Sequence, residues 1–96
     1  MPKGYWIIHV NVTDPEGYPE YVRRDTPIIE GLGGTFIVRG GTSETREGTS
    51  LPRHVVVEFP SYAQAITAYE DLGYQEVADI RRRCAESTFI IVEGVA

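Results

Sequence analysis

Two hydrophobic rhythms alternate along the chain. From Gly4 to Val12 apolar residues recur at every second position, so Trp6, Ile8, Val10 and Val12 make one wholly apolar face and Tyr5, Ile7, His9 and Asn11 a mixed one, as in a strand. From Tyr18 the period lengthens. Tyr18, Tyr21, Val22, Asp25, Ile29 and Leu32 share one face of a helix, with Asp25 the single charge on that stripe. Asp14-Pro15 ahead of the stripe supplies a cap and a first helical proline. Pro27 inside it removes a backbone donor and predicts a kink or a split. Gly33-Gly34 closes the helix. Thr35 to Arg39 reads as a second strand, with Phe36 and Val38 on one face and Thr35, Ile37 and Arg39 on the other, and Gly40-Gly41 marks a bulge or sharp twist after it. The polar stretch Thr42 to Arg53 either continues that strand before turning near Glu47-Gly48, the preferred reading, or forms a hairpin loop.

His54 to Phe59 alternates again, Val55, Val57 and Phe59 facing one way and His54, Val56 and Glu58 the other, until Pro60 stops it. Ser61 to Gln64 has reciprocal capping-box spacing, and Tyr62, Ile66 and Tyr69 then recur on one helical face. Leu72-Gly73 interrupts, so a bend or break is expected at Gly73 before Tyr74, Val77, Ile80 or Arg81, and Cys84 resume the helical period. Thr88 to Glu93 forms a last strand, Ile90 and Val92 opposite Phe89, Ile91 and Glu93. The order strand, helix, strand, strand, helix, strand is the split βαβ unit of ferredoxin-like α+β folds, with an antiparallel sheet, and residues 1–96 read as one such domain. Both helices cover one sheet face. The other face, carrying Tyr5, Ile7, His9, Asn11, Ile37, Arg39, Val56 and Glu58, is too apolar for open water and too polar for a dry core. A second copy packed sheet against sheet would bury it, so a homodimer is expected.

Charge and composition narrow the partners. The 96 residues carry a formal net charge of −5, which argues against a phosphate-backbone binder, and nucleic acid is not expected as a partner. Arg81-Arg82-Arg83 is the one basic cluster, read as mostly solvated surface among Glu76, Asp79 and Glu86. A lone Cys84 excludes an internal disulfide and fits a reducing cytoplasm. His9 and Asn11 interrupt the first apolar run, so no leader is read there, and no stretch is long enough for a membrane span; a cytoplasmic protein without a membrane partner is expected.

The residues Lys3-Gly4-Tyr5-Trp6, Val12-Thr13-Asp14-Pro15, Gly33-Gly34 followed by Val38-Arg39-Gly40-Gly41, Val57-Glu58-Phe59-Pro60-Ser61, Tyr74-Gln75 and Val92-Glu93-Gly94 carry a resemblance across nearly the whole chain. Together they resemble the domain-of-unknown-function family 1330. That resemblance implies a dimeric α+β barrel of two ferredoxin-like subunits, in line with the uncovered face, and implies little about activity. Similar barrels include cofactor-free oxygenases, haem-degrading enzymes, lactone isomerases and proteins of no known activity. The family's Ser-Pro-Glu-like approach to its Tyr-Gln pair is replaced here by Asp71-Leu72-Gly73.

Among candidate functional residues Arg39 is the sharpest, because its planar guanidinium binds a carboxylate in two-pronged fashion. On strand alternation it lies on the uncovered face near Glu58, where the two form either a ligand site or a structural ion pair. Glu58 and His9 are the candidate catalytic groups, one as a base and the other as a proton shuttle. Asn11 on the strand of His9 is a further ligand-binding candidate, and Tyr69 and Tyr74 flank the helix break where they line a pocket mouth or simply pack. His54 reads as surface and Cys84 as an inert core thiol. No metal or organic cofactor is expected, since neither metal-ligand spacing nor a phosphate-cradling loop is present. Two functions follow: binding or transformation of a small anionic metabolite, or a non-catalytic dimeric interaction protein. A closed cavity with unpaired polar groups favours the first, and an Arg39 fully satisfied by Glu58 without a cavity favours the second.

Overall fold

A computed structural model describes every residue from Met1 to Ala96. The elements are β1 (Gly4–Val12), α1 (Tyr18–Gly31), β2 (Thr35–Arg39), β3 (Arg53–Phe59), α2 (Tyr62–Glu70), α3 (Leu72–Cys84) and β4 (Ala85–Glu93). All strand pairs are antiparallel in the order β2-β3-β1-β4, the ferredoxin-like α+β arrangement read from the sequence. The most apolar strand, β1, takes a central position. Its Trp6 is fully buried among Phe59 and Tyr74, each with ring centroids at 4.9 Å, and Phe89 at 5.0 Å. The indole N–H, too costly to bury unpaired, donates to the Ala65 carbonyl at 2.9 Å. No helix is long and apolar enough to cross a membrane.

Four local expectations are corrected, each for an identifiable reason. Asp14 does cap backbone amides, accepting from Glu16 and Gly17 at 3.1 and 3.2 Å, but it caps a turn, and α1 starts only at Tyr18 with Pro19 in its first turn. Pro27 does not split α1. The Arg23 carbonyl that loses its partner lies on an exposed residue, where water can satisfy it. The second helical segment breaks at Asp71 rather than Gly73, because the Asp71 side chain accepts from the Tyr74 amide at 2.9 Å and so starts α3, while its extended ψ of 129° ends α2. Ser61 caps α2 by accepting from the Gln64 amide at 3.1 Å. The reciprocal arm is absent, since the Gln64 side-chain amide donates instead to the Leu32 carbonyl at 2.7 Å and ties α2 to the end of α1.

The strands hold three further differences. β4 begins at Ala85, directly after α3, and pairs with β1 from Val12↔Ala85 onward. Residues 40–52 form an irregular, almost wholly exposed loop instead of a longer strand. Their polar side chains have no apolar alternation with which to cover a sheet. The bulge sits at Ile37 rather than at Gly40-Gly41: Phe36 stands opposite Val57 and Val38 opposite Val56, so β2 carries one extra residue between them. Because side chains alternate with a period of two, that residue sends Arg39 to the helix-covered face, opposite Val55.

Candidate functional site

The helix-facing side of β1 and β3 presents Ile8, Val10, Val55 and Val57, and α1 lays Tyr18, Tyr21 and Ile29 over them. Between α1, α3 and this sheet face lies a narrow cleft of about 20 Å³, room for about one water molecule, with that apolar floor. Four charged side chains also line it: Asp25 from α1, Arg39 from β2, Arg53 from β3 and Arg81 from α3.

Asp25 is 4% exposed. Burial raises its pKa to about 6, against the opposing pull of the Thr26 hydroxyl, the Arg39 guanidinium, Tyr21 and Arg81. Arg39 reaches it from the bulged strand, Nη2 lying 3.6 Å from Asp25 Oδ1 and donating to Thr26 Oγ1 at 2.5 Å. The same guanidinium stacks 4.0 Å above the Phe36 ring, which fixes its plane. The second charged anchor is Arg81, 5% exposed. Its guanidinium sits 5.7 Å from the Tyr21 ring and 5.4 Å from the Phe89 ring, forms no ion pair, and leaves Nε buried without a partner. Arg53, over Tyr18 at 5.8 Å, has a second orphaned Nε. Behind Arg81 the hydroxyls of Tyr21 and Tyr74 meet at 2.8 Å, and burial pushes both phenols up, so both stay protonated. Three guanidinium groups against one carboxyl leave two positive charges in excess, in a chain whose net charge is −5.

The six residues singled out from the sequence do not form one site. Arg39 pairs with Asp25, and its expected pairing with Glu58 is absent, because the bulge puts the two on opposite sheet faces. Glu58 lies on the outer face, where Lys3 Nζ donates to it at 3.2 Å and the Tyr5 hydroxyl at 3.0 Å; these two bonds lower its pKa and suit it to being an ion-pair partner rather than a base. His9 and Asn11 occupy the outer face too, nearer the other end of β1. Tyr74 is fully buried and reaches the cleft only through its neighbours Tyr21 and Arg81, so it does not line a mouth. Tyr69 packs between Trp6 and Phe89, with ring centroids 6.3 and 4.8 Å away. Cys84 is buried with its thiol pKa raised by burial, as a core thiol should be.

The residues that sequence reasoning passed over are Asp25, Tyr21, Arg53 and Arg81. The signal for Asp25 and Tyr21 was present, since a lone acid stood on an otherwise apolar helical stripe beside a tyrosine. Arg81 hid inside its charge run, although the period through Tyr74, Val77 and Cys84 marked it as the inward member. Arg82, by contrast, is surface, bound to Asp79 at 2.8 Å and Gln75 at 2.7 Å.

Comparison with known proteins follows the same lines. The family model described as Domain of unknown function (DUF1330) matches residues 3–95. A solved protein of unknown function from Rhodopseudomonas palustris is 22% identical, with a TM-score of 0.74 over 99% of this chain and 84% of that one. A cofactor-independent oxygenase from Streptomyces nogalater is 13% identical, with a TM-score of 0.69 over 100% of this chain and 96% of its own. A putative antibiotic biosynthesis monooxygenase from Nitrosomonas europaea is 12% identical, with a TM-score of 0.61 over 97% and 90%. At these identities the likeness is one of fold. No curated protein matches the chain.

Proposed function

Because the chain belongs to the DUF1330 family, whose description leaves function open, we propose a role from the site itself: the protein binds a small anionic metabolite in the cleft between α1, α3 and the sheet. The observation that carries this reading is Arg81, a buried guanidinium with an orphaned Nε and no carboxylate partner. A buried charge costs free energy unless it is paired, and a ligand carboxylate is the partner its geometry lacks. The cleft must open to admit a ligand, whose apolar body would then rest on the floor of Ile8, Val10, Val55 and Val57, with Arg39 beside it for a second anionic oxygen. Asp25, with its pKa near 6, replaces His9 and Glu58 as the group placed to accept a proton from the bound molecule. The unpaired Nε atoms of Arg53 and Arg81 beside the cleft, together with an Arg39 that does not pair with Glu58, support this reading over a purely structural protein.

Benzoate is a suitable probe, combining an apolar body with one carboxylate. Methyl resonances of Ile8, Val10 and Ile29 should shift saturably as it is added to the labelled chain, and Arg39→Ala should weaken the response. Shifts confined to the outer sheet face, or none up to about 10 mM, would refute the cleft as the site.

The outer sheet face supports a homodimer as part of the same proposal. Ile37, Val38, Ile90 and Val92 are exposed there beside the half-buried Ile7 and Val56, a contiguous apolar band on the face that the helices leave bare. Light scattering is expected to give twice the 10.7 kDa chain mass at micromolar concentration. Val56→Lys, placing a charge in the middle of the band, should shift the mass to that of one chain. A single-chain mass for the unaltered protein would rule the dimer out.

A further inference from the structure

We infer that His9 and His54 together form a chelating site for a transition-metal dication of the Zn²⁺ class, on the sheet face opposite the cleft. The two residues are direct cross-strand partners, His9 on β1 and His54 on β3, with Thr88 of β4 on the other side of His9. Their Nδ1 atoms lie 2.7 Å apart and their rings stand at 81°, so the two Nδ1 atoms face each other across the strand pair. At that distance one nitrogen carries a proton and the other accepts it. The shared proton marks where a metal ion preferring imidazole would sit.

Exchanging proton for metal is chemically balanced without any co-reactant. The proton on Nδ1 of one ring moves to Nε2 of that ring, both imidazoles remain neutral, and both Nδ1 lone pairs become free to coordinate. With metal–nitrogen bonds of about 2.0–2.1 Å at a tetrahedral angle, the nitrogens must open to roughly 3.3 Å, a side-chain adjustment that leaves the backbone ladder intact. Both rings are only half-buried, so water can complete the coordination. The chain brings no cluster of three or more ligating side chains together, which makes this an open two-imidazole site rather than a closed structural one. The next rung on this face pairs Asn11 with Glu86, whose carboxylate adds a negative field, and the net charge of −5 also favours a cation. The site lies at the polar end of the face, beyond the apolar band of Ile7, Val56 and Ile90, and so is compatible with a second copy seated on that band. Imidazole selects zinc, nickel or copper over magnesium or calcium.

The test uses the full chain, stripped with a chelator and titrated with zinc chloride by calorimetry near neutral pH, with imidazole nitrogen shifts followed by NMR in parallel. Saturable binding is expected, moving the Nδ1 resonances of both histidines, with magnesium chloride giving none. His9→Ala and His54→Ala should each weaken binding at least as much as the roughly 10- to 100-fold that loss of an outer-shell partner costs. Arg39→Ala should leave it unchanged, which separates this site from the cleft. The inference is overturned if zinc shows no saturable uptake below about 1 mM. It is also overturned if both alanine variants bind as the parent does, or if the metal moves Nε2 and leaves Nδ1 unshifted. The NMR arm reads the unaltered protein, so a variant that fails to fold leaves the decision intact.

Discussion

Asp25→Asn is expected to stabilise the fold at pH 8 by up to about 3 kcal/mol and to do almost nothing near pH 4. The folded chain holds the Asp25 carboxyl at a pKa of about 6, against an ordinary value of 3.8, with burial as the leading cause. A group whose pKa is raised on folding binds its proton more tightly in the native state. Its favourable contribution is therefore complete below about pH 4 and is lost as pH climbs through about 6. Above that, the ionised carboxylate is a burden that Arg39, one-third exposed, only partly relieves. Asparagine keeps the shape, cannot ionise, and forfeits only that partial relief. Urea denaturation of both proteins at the two pH values measures the effect, and the difference between them isolates Asp25 from the acids that titrate the opposite way, such as Glu58, whose pKa is lowered. A difference independent of pH, or a variant less stable at pH 8, would mean that Asp25 is not an uncompensated buried acid. Buried acids with raised pKa values cluster at functional sites, which suits Asp25 to the role proposed for the cleft.

The architecture was largely legible in the chain because each strand and each helix stripe announces itself by its period. Trp6, Ile8 and Val10 face the helices as their spacing demands, and Ile90 and Val92 lie outward as theirs does. What periodicity could not convey was a change of phase. One extra residue at Ile37 is invisible in the alternation of five residues, yet it reverses Arg39 and dissolves the expected site. The apparent signal at Gly40-Gly41 pointed to an irregularity in the right neighbourhood but on the wrong side of Arg39. The histidine pair was hidden for a different reason. His9 and His54 are 45 residues apart, and only the pairing register of β1 with β3 makes them neighbours, so no local spacing motif records them. Arg81 was concealed by its own company, since a run of three arginines reads as solvated even though a helix turns one of the three inward.

Arg81→Met should separate the cleft's function from its stability. Methionine matches the length of the arginine stem and keeps apolar packing against Tyr21 and Phe89, while removing a buried charge that has no ion-pair partner. Replacing buried ionic groups by apolar ones of similar volume is often neutral or stabilising by about 1–4 kcal/mol, whereas removal of the two cation–π interactions opposes that by about 0.5–2 kcal/mol. The net expectation lies between a loss of about 2 kcal/mol and a gain of about 3.5 kcal/mol. Affinity for benzoate should fall in either case. A charge-assisted hydrogen bond contributes about 1.5–3 kcal/mol, so its loss weakens binding by roughly ten- to a hundredfold. Arg81→Lys should recover part of that affinity, because it keeps the charge, but not all of it, because an ammonium lacks the flat two-pronged donor. Denaturation curves and benzoate titrations on the same three proteins give both quantities. If Arg81→Met instead lost about 3 kcal/mol of stability and bound benzoate as the parent does, the guanidinium would be a structural brace for Tyr21 and Tyr74, and the cleft would need another anchor for its anion.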